Sequence, residues 1–153
     1  MKILIAVAAG LLATATAAFA LGEPIAYGEA EQGSFRLVAG VVVDTKLVEL
    51  KGTWLDESVS CTAKRKLTVE AALTYSPPSG PAKSVTRKGN FTSMNCAEGG
   101  PNVGYTLRPA SVKAKCPSGA WKPGQYAFNT GVTDIAKKLT AKASLLWLVD
   151  KRC

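Results

Sequence analysis

The chain has 153 residues, and its 19 Lys and Arg against 11 Asp and Glu give a formal net charge of +8. Its composition, 47% hydrophobic and 20% charged, is typical of one globular domain and excludes a disordered chain. The absence of histidine from the sequence excludes Ser-His-Asp and Cys-His nucleophiles and imidazole metal sites. We therefore expect no metal or other cofactor and a protein that is not an enzyme.

Residues 1–20 have the features of a secretory signal peptide. Lys2 precedes an apolar run over residues 3–12, and Ala18 and Ala20 are the small residues expected before a cleavage site. A membrane-spanning helix needs about 20 strongly apolar residues, and residues 13–18 are too weakly apolar to extend the run to that length. The sequence predicts a secreted, extracellular protein with a cleaved signal and no transmembrane segment after signal removal.

Two further boundaries follow from composition. Residues 21–33 are polar and contain glycine, so we expect a loosely ordered lead-in there. Residues 34–153 then form a single domain.

The four cysteines predict two disulfides. An even number of cysteines in an exported chain favours pairing, and a four-thiolate zinc site would bring its ligands in close pairs, which this sequence lacks. Three pairings are possible, and turn signals near the middle of the intervals, at residues 77–81 and 129–134, favour sequential pairing. The preferred disulfides are Cys61–Cys96 and Cys116–Cys153.

Alternation of apolar and polar residues dominates the exported part. Over residues 59–75 the odd positions are mostly apolar and the even positions mostly polar, which predicts a long strand with one wet face. Residues 141–149 alternate in the same way, and residues 132–141 allow one or two helical turns. Residues 35–43 and 46–50 form two strands or one strand bent by a bulge. The other expected strands cover residues 84–93, 103–115 and 125–130.

About seven short strands separated by Gly and Pro predict an all-β fold, a single antiparallel β-sandwich. We expect an immunoglobulin-like arrangement as an analogy of architecture. The antibody pattern itself is not met, because no Trp lies between Cys61 and Cys116 on what would be the third strand and residue 114 is Ala instead of the corner Tyr.

A cluster of cations forms the first candidate site. If the segments around residues 65 and 87 are neighbours in a hairpin, they create a patch that could attract an anionic polymer of the cell envelope, an acidic glycan or a membrane surface. The alternative is a solvated face that keeps the protein soluble and blocks edge pairing. Nucleic acid is not favoured, because no aromatic residues are interleaved with the charges. The patch consists of Lys64, Arg65, Lys66, Arg87 and Lys88.

Arg65 also breaks an otherwise apolar face of its strand. We interpret it as an inward charge that guards an edge or pairs with a carboxylate such as Glu70 or Asp56.

Trp121 is the aromatic residue with the best prospect of exposure, because it lies in a turn-rich stretch over residues 117–124. It could contribute to a sugar-stacking surface or a loop contact, or it could fold over one end of the sandwich.

Asn90-Phe91-Thr92 matches a glycosylation sequon, a weak signal that matters only in a eukaryote.

Hydrolase activity has little support in the sequence. Asp56 and Glu57 form the one adjacent acid pair, and neighbouring residues of a strand point to opposite faces, so they cannot oppose each other across a cleft. No G-x-S-x-G or S-x-x-K motif marks a serine nucleophile.

We therefore expect a small binding or interaction module that acts outside the cell or at the cell envelope, with an extracellular protein or an anionic envelope polymer as partner. Contact loops would follow Cys96 and Cys116. The alternative is a secreted inhibitor of a foreign hydrolase, with residues 114–121 as its inhibitory loop.

Overall fold

A computed structural model describes residues 26–59, 63–94 and 101–153. The described chain contains eight β-strands and one short 3₁₀ helix. In chain order these are β1 Ala26–Gln32, β2 Phe35–Val43, β3 Val48–Asp56, β4 Lys64–Ser76, β5 Lys83–Met94, β6 Val103–Leu107, η1 Pro109–Val112, β7 Gly124–Asp134 and β8 Leu139–Val149.

The strands form two antiparallel sheets of four strands each. Sheet A has the order β1-β2-β3-β6, and sheet B has the order β5-β4-β7-β8. The expected all-β antiparallel sandwich is confirmed, with eight strands among the described residues instead of seven.

The core lies between the sheets because period two places alternate residues of each strand on the inner face. On β4 the inward residues are buried, as the alternation predicts. Large aromatic side chains come from β7, beside β4 in sheet B, and from β2 in the facing sheet. The inward set includes Leu67, Val69, Leu73, Tyr75, Phe35, Tyr126 and Phe128.

The loosely ordered lead-in is wrong for residues 26–32, which form β1. This strand pairs along its whole length with β2, from Ala26 opposite Val41 to Gln32 opposite Phe35. Its inner face also packs on the other sheet, since a Cβ at Gly28 would lie 1.8 Å from the Lys142 carbonyl oxygen. A polar strand at a sheet edge buries few side chains, so its sequence resembles a loop.

The helical turns expected over residues 132–141 are also wrong. β7 continues to Asp134, residues 135–138 form a turn in which Lys138 has φ 53°, and β8 begins at Leu139. Hydrogen bonding along β4, from Leu67 opposite Asp134 to Ser76 opposite Gln125, holds the longer strand in place.

Three other expected strands have different bounds. The strand expected over residues 59–75 begins at Lys64, after a turn at residues 57–59, and residues 60–62 lie outside the described part. The strand expected over residues 46–50 continues to Asp56. The strand expected over residues 103–115 stops at Leu107, because Pro109 lacks the N–H that a strand ladder requires and begins η1 instead.

Cys116 and Cys153 form a disulfide, as the sequential pairing predicts, with their Cα atoms 5.4 Å apart. It ties the segment after β8 to the loop before β7. Cys61 and Cys96 lie outside the described residues, so the other predicted disulfide stays a prediction.

Candidate functional site

The outer face of sheet B is the candidate site. Alternation puts the even-numbered residues of β4, β5 and β8 and the odd-numbered residues of β7 on this face, in rows that cross the sheet. We call it the basic face, because its described cations are Lys64, Lys66, Lys88 and Lys142 and its one described acid is Glu70.

Hydrogen bonds between neighbouring side chains order part of this face. They join hydroxyl and amide groups on adjacent strands at 2.7–2.8 Å. Such pairs hold side chains in fixed rotamers and leave the remaining polar atoms of these side chains free to hydrogen-bond to a ligand. The pairs are Thr68 with Asn90, Thr74 with Ser84, Thr133 with Thr140, and Asn129 with Ser144.

A groove of about 500 Å³ crosses the middle of the basic face. Its floor is low because Ala72 has only a methyl group and Gly131 has no side chain, and a Cβ at Gly131 would meet no atom within 4 Å. Lys88 and Glu70 border the groove on one side and Lys142 on the other.

The charges at this groove do not cancel. Glu70 forms an ion pair with Lys88. The hydrogen bond and the charge of Lys88, with a smaller contribution from Lys142, hold the pKa of the Glu70 carboxyl below its usual value despite some desolvation. Glu70 is therefore ionised at neutral pH, and Lys142 remains as positive charge across the groove.

The predicted cationic patch is divided in the structure. Lys64, Lys66 and Lys88 share the basic face, but the register puts Lys66 opposite Thr92 and Lys88 opposite Glu70, so they are about 13 Å apart along the strand. Arg87 is exposed on the other side of β5. Arg65 does not belong to the patch, because it faces inward.

Arg65 forms an ion pair with Asp134, a partner that sequence reasoning missed in favour of Glu70 or Asp56. Arg65 Nε lies 2.5 Å from Asp134 Oδ2 and Nη2 lies 2.9 Å from Oδ1, and the guanidinium carbon is 4.8 Å from the Phe35 ring centre. The Asp134 residue is 0% exposed. The alternation Phe128, Thr130, Val132, Asp134 was the signal that could have identified this inward carboxylate.

Two opposing effects act on the pKa of Asp134. Burial alone would raise this pKa, but hydrogen bonds from Arg65 and from the Lys137 amide, 2.7 Å away, outweigh it and hold the pKa below the usual value. Asp134 is therefore a paired anion that fixes Arg65 at one end of the core. We assign the pair a structural role.

Trp121 is not an exposed sugar platform. It is 3% exposed, its indole Nε1 donates to the Asp44 carbonyl at 2.8 Å, and its ring packs edge-on against Tyr126 and Trp147. It folds over one end of the sandwich, which is the alternative that its turn-rich surroundings allowed.

The loop after Cys116 is short and internally bonded. The Cys116 amide donates to the Ala120 carbonyl and the Gly119 amide to the Cys116 carbonyl, both at 2.9 Å. Beside it lies a second, larger groove of about 1060 Å³, between residues 42–45 and the segment that leads to Cys153.

The loop expected after Cys96 begins in residues 97–100, which lie outside the described part. Asn90 of the sequon is exposed on the basic face.

No protein-family model and no curated protein matches this chain. Within residues 26–59, 63–94 and 101–153, no cluster of three His, Cys, Asp or Glu side chains is arranged to hold a metal ion. The same residues include no helix of the length and apolarity that spanning a membrane requires.

Proposed function

We propose that the protein is a non-enzymatic binding module that acts outside the cell and holds an anionic polymer on the basic face. The supporting observation is the unequal distribution of charge between the two sheets. The basic face has four cations and one acid among its described residues, whereas the outer side of sheet A has cations that are already paired with acids, Arg36 with Glu31 and Lys51 with Glu49.

The spacing of the cations favours a polymer over a small anion. Neighbouring strands lie about 4.8 Å apart, so Lys88 and Lys142, on the outer strands of sheet B, are roughly 14 Å apart across the sheet. Lys66 lies about 13 Å further along β4 from the row of Glu70. A chain with repeated carboxylates or sulfates can reach all of these positions, and one small anion cannot.

An acidic glycan suits this face better than a nucleic acid. The described residues that face outward from sheet B include no aromatic side chain, so bases would find no ring on which to stack. They include instead many hydroxyl and amide groups, which can hydrogen-bond to sugar hydroxyls. We take an acidic polysaccharide of the cell envelope as the favoured partner.

Charge reversal on the basic face should abolish binding to polygalacturonate. The Lys66→Glu/Lys142→Glu variant changes the local charge by four units, and attraction between a charged surface and a polyanion depends directly on that charge. Elution from a polygalacturonate column is measured between 50 and 500 mM NaCl, because salt screens such contacts. We expect retention of the wild type at low salt and none of the variant.

The matched control is Lys46→Glu/Lys122→Glu, which makes the same change of net charge at exposed lysines away from the basic face. This variant should elute close to the wild type. Equal loss in both variants would show that only net charge matters and would contradict a dedicated face.

A hydrolase inhibitor is the second candidate, and it is favoured by the rigidity of the loop over residues 114–121. The disulfide at Cys116, the two backbone hydrogen bonds and buried Trp121 fix its conformation before any partner binds, which lowers the entropy cost of association. Inhibition of a panel of proteases and glycosidases is the measurement, with Ser118→Glu as the loop variant. If this candidate is correct, one enzyme is inhibited by the wild type and far less by the variant.

The strand order supports the immunoglobulin-like arrangement. β2-β3-β6 has the order of strands A, B and E, β4-β7-β8 has the order of C, F and G, and β5 lies beside β4 on the side where variable-type domains have C′. Tyr126 at the start of β7 donates through its hydroxyl to the Lys122 carbonyl at 2.6 Å, the geometry of a tyrosine corner at strand F. β1 is an additional strand outside this scheme.

Two further features complete the proposal. A second disulfide, Cys61–Cys96, is supported by elimination, since Cys116 and Cys153 already pair with each other, and by the antiparallel pairing of β4 with β5, whose last described pair is Lys64 and Met94. Export by a cleaved signal over residues 1–20 agrees with a disulfide-bonded domain, because such bonds persist in oxidising compartments.

A further inference from the structure

β5 is the outermost strand of sheet B and has one free edge. All twelve of its residues, Lys83–Met94, pair with β4 in an unbroken register, and among the described residues no second strand pairs with it. Most of its side chains are exposed. A strand at a sheet edge presents unpaired backbone N–H and C=O groups that can bond to another extended chain.

One hydrogen bond identifies which groups of β5 face that edge. The Lys66 carbonyl accepts from the Ile135 amide at 3.2 Å, so the even-numbered residues of β4 direct their backbone groups towards β7. The odd-numbered residues of β4 therefore bond to the odd-numbered residues of β5, as in the pair Ala71 and Arg87. The free groups of β5 then belong to its even-numbered residues, Ser84, Thr86, Lys88, Asn90 and Thr92.

A hydrogen bond at the Thr86 carbonyl supports this assignment. It accepts a hydrogen bond from Nη1 of the neighbouring Arg87 side chain at 3.0 Å. An exposed guanidinium can bond to this carbonyl because the carbonyl points away from β4. A partner strand would replace that weak local contact with a backbone amide.

The protection usually found at such edges is incomplete here. Proteins block edge strands with proline, with bulges, with a cover or with charge, and β5 has no proline and no break in its register. What it has is positive charge, on Lys83, Arg87 and Lys88. Two copies of β5 that paired in antiparallel fashion would bring these like charges together, which disfavours self-association.

We propose that the free edge of β5 binds an extended acidic peptide as an added strand. Main-chain hydrogen bonds to the even-numbered residues supply affinity, and acidic side chains opposite Arg87 and Lys88 supply selectivity. This surface adjoins the groove between Glu70 and Lys142, because Thr86, Arg87 and Lys88 also line one side of that groove. The backbone groups that would bond the peptide lie on the opposite side of β5 from β4.

Residue-resolved hydrogen exchange tests the proposal, with an acetylated ten-residue peptide of alternating Thr and Glu as the probe. On addition of the peptide, the amides of Thr86, Lys88 and Asn90 should change from fast to slow exchange, whereas those of Arg87 and Gly89 are already slow because they bond to β4. A peptide with Lys in place of Glu should protect none of them.

Thr86→Pro and Thr86→Ala form the matched pair of variants. Both remove the hydroxyl, but only proline removes the edge N–H, and an edge position tolerates proline. Loss of one or two main-chain hydrogen bonds should weaken peptide binding by about tenfold in Thr86→Pro relative to Thr86→Ala. Thermal unfolding confirms that both variants are folded.

Two results would overturn the proposal. One is unchanged binding of a peptide whose alternate amides are N-methylated, which keeps the test valid even if Thr86→Pro does not fold. The other is binding that protects no even-numbered amide of β5. Lys142→Glu separates this proposal from the proposed function, because it should weaken polygalacturonate binding and leave peptide binding intact.

Discussion

Replacing Arg65 with methionine should lower the free energy of unfolding by about 3–5 kcal/mol. The substitution leaves the Asp134 carboxylate, in a residue that is 0% exposed, without the two hydrogen bonds from the guanidinium. The Lys137 amide alone remains as its hydrogen-bond donor in the described contacts. Urea unfolding at pH 7, followed by tryptophan fluorescence, measures the loss.

Two variants serve as controls for this prediction. Arg65→Met/Asp134→Leu removes both charges and should recover most of the lost stability, because no buried charge is left unpaired. Glu70→Gln breaks the exposed pair with Lys88 and should change stability little. If Arg65→Met costs no more than Glu70→Gln, the structural role assigned to the Arg65–Asp134 pair is wrong.

The same pair gives the stability a defined dependence on pH. The pKa of Asp134 is lower in the folded protein than the ordinary value of 3.8. Its contribution is therefore complete above that ordinary value and is lost as the pH falls through the lower folded value. Asp56 acts in the same direction, because hydrogen bonds from Ser58 and Ser34 lower its pKa. The wild type should lose stability more steeply below about pH 4 than Arg65→Met/Asp134→Leu.

Removing the Cys116–Cys153 disulfide should have an effect of similar size. The disulfide closes a loop with a sequence separation of 37 residues, and the chain-entropy relation assigns about 4 kcal/mol to a loop of that length. Cys116→Ala/Cys153→Ala removes the link without creating a free thiol. Thermal and urea unfolding of this variant measure the loss.

Lys151→Ala is the matched control, since it alters an exposed residue of the same terminal segment and keeps the disulfide. It should unfold like the wild type. A double cysteine variant as stable as Lys151→Ala would show that the disulfide does not hold this end of the sandwich together.

The sequence predicts the strands whose buried residues follow the two-residue repeat of a β-strand. Leu67, Val69 and Leu73 alternate with polar residues, so the sequence alone identifies β4, and the turn at residues 77–82 follows from its prolines. β1 could not be found in this way. Its residues are half exposed at a sheet edge, and they form a strand because β2 provides the hydrogen-bonding partner.

The site was only partly predictable for a related reason. Sequence clustering brought Arg65 into the patch with Lys64 and Lys66, but the period of a strand turns adjacent residues to opposite faces. Lys142 joins the basic face through the pairing of β7 with β8, a contact that no local pattern encodes. The depth of the groove depends on Gly131, which sequence reasoning had not singled out.

NMR mapping of the ¹⁵N-labelled protein with polygalacturonate tests the proposal that sheet B presents a dedicated face to an anionic polymer. Amide shifts should move at outward residues of sheet B, including Glu70, Asn129 and Lys142. Residues on the outer side of sheet A, such as Glu31 and Glu49, should remain unchanged. Shifts spread equally over both sheets, or no shifts at low salt, would contradict the claim.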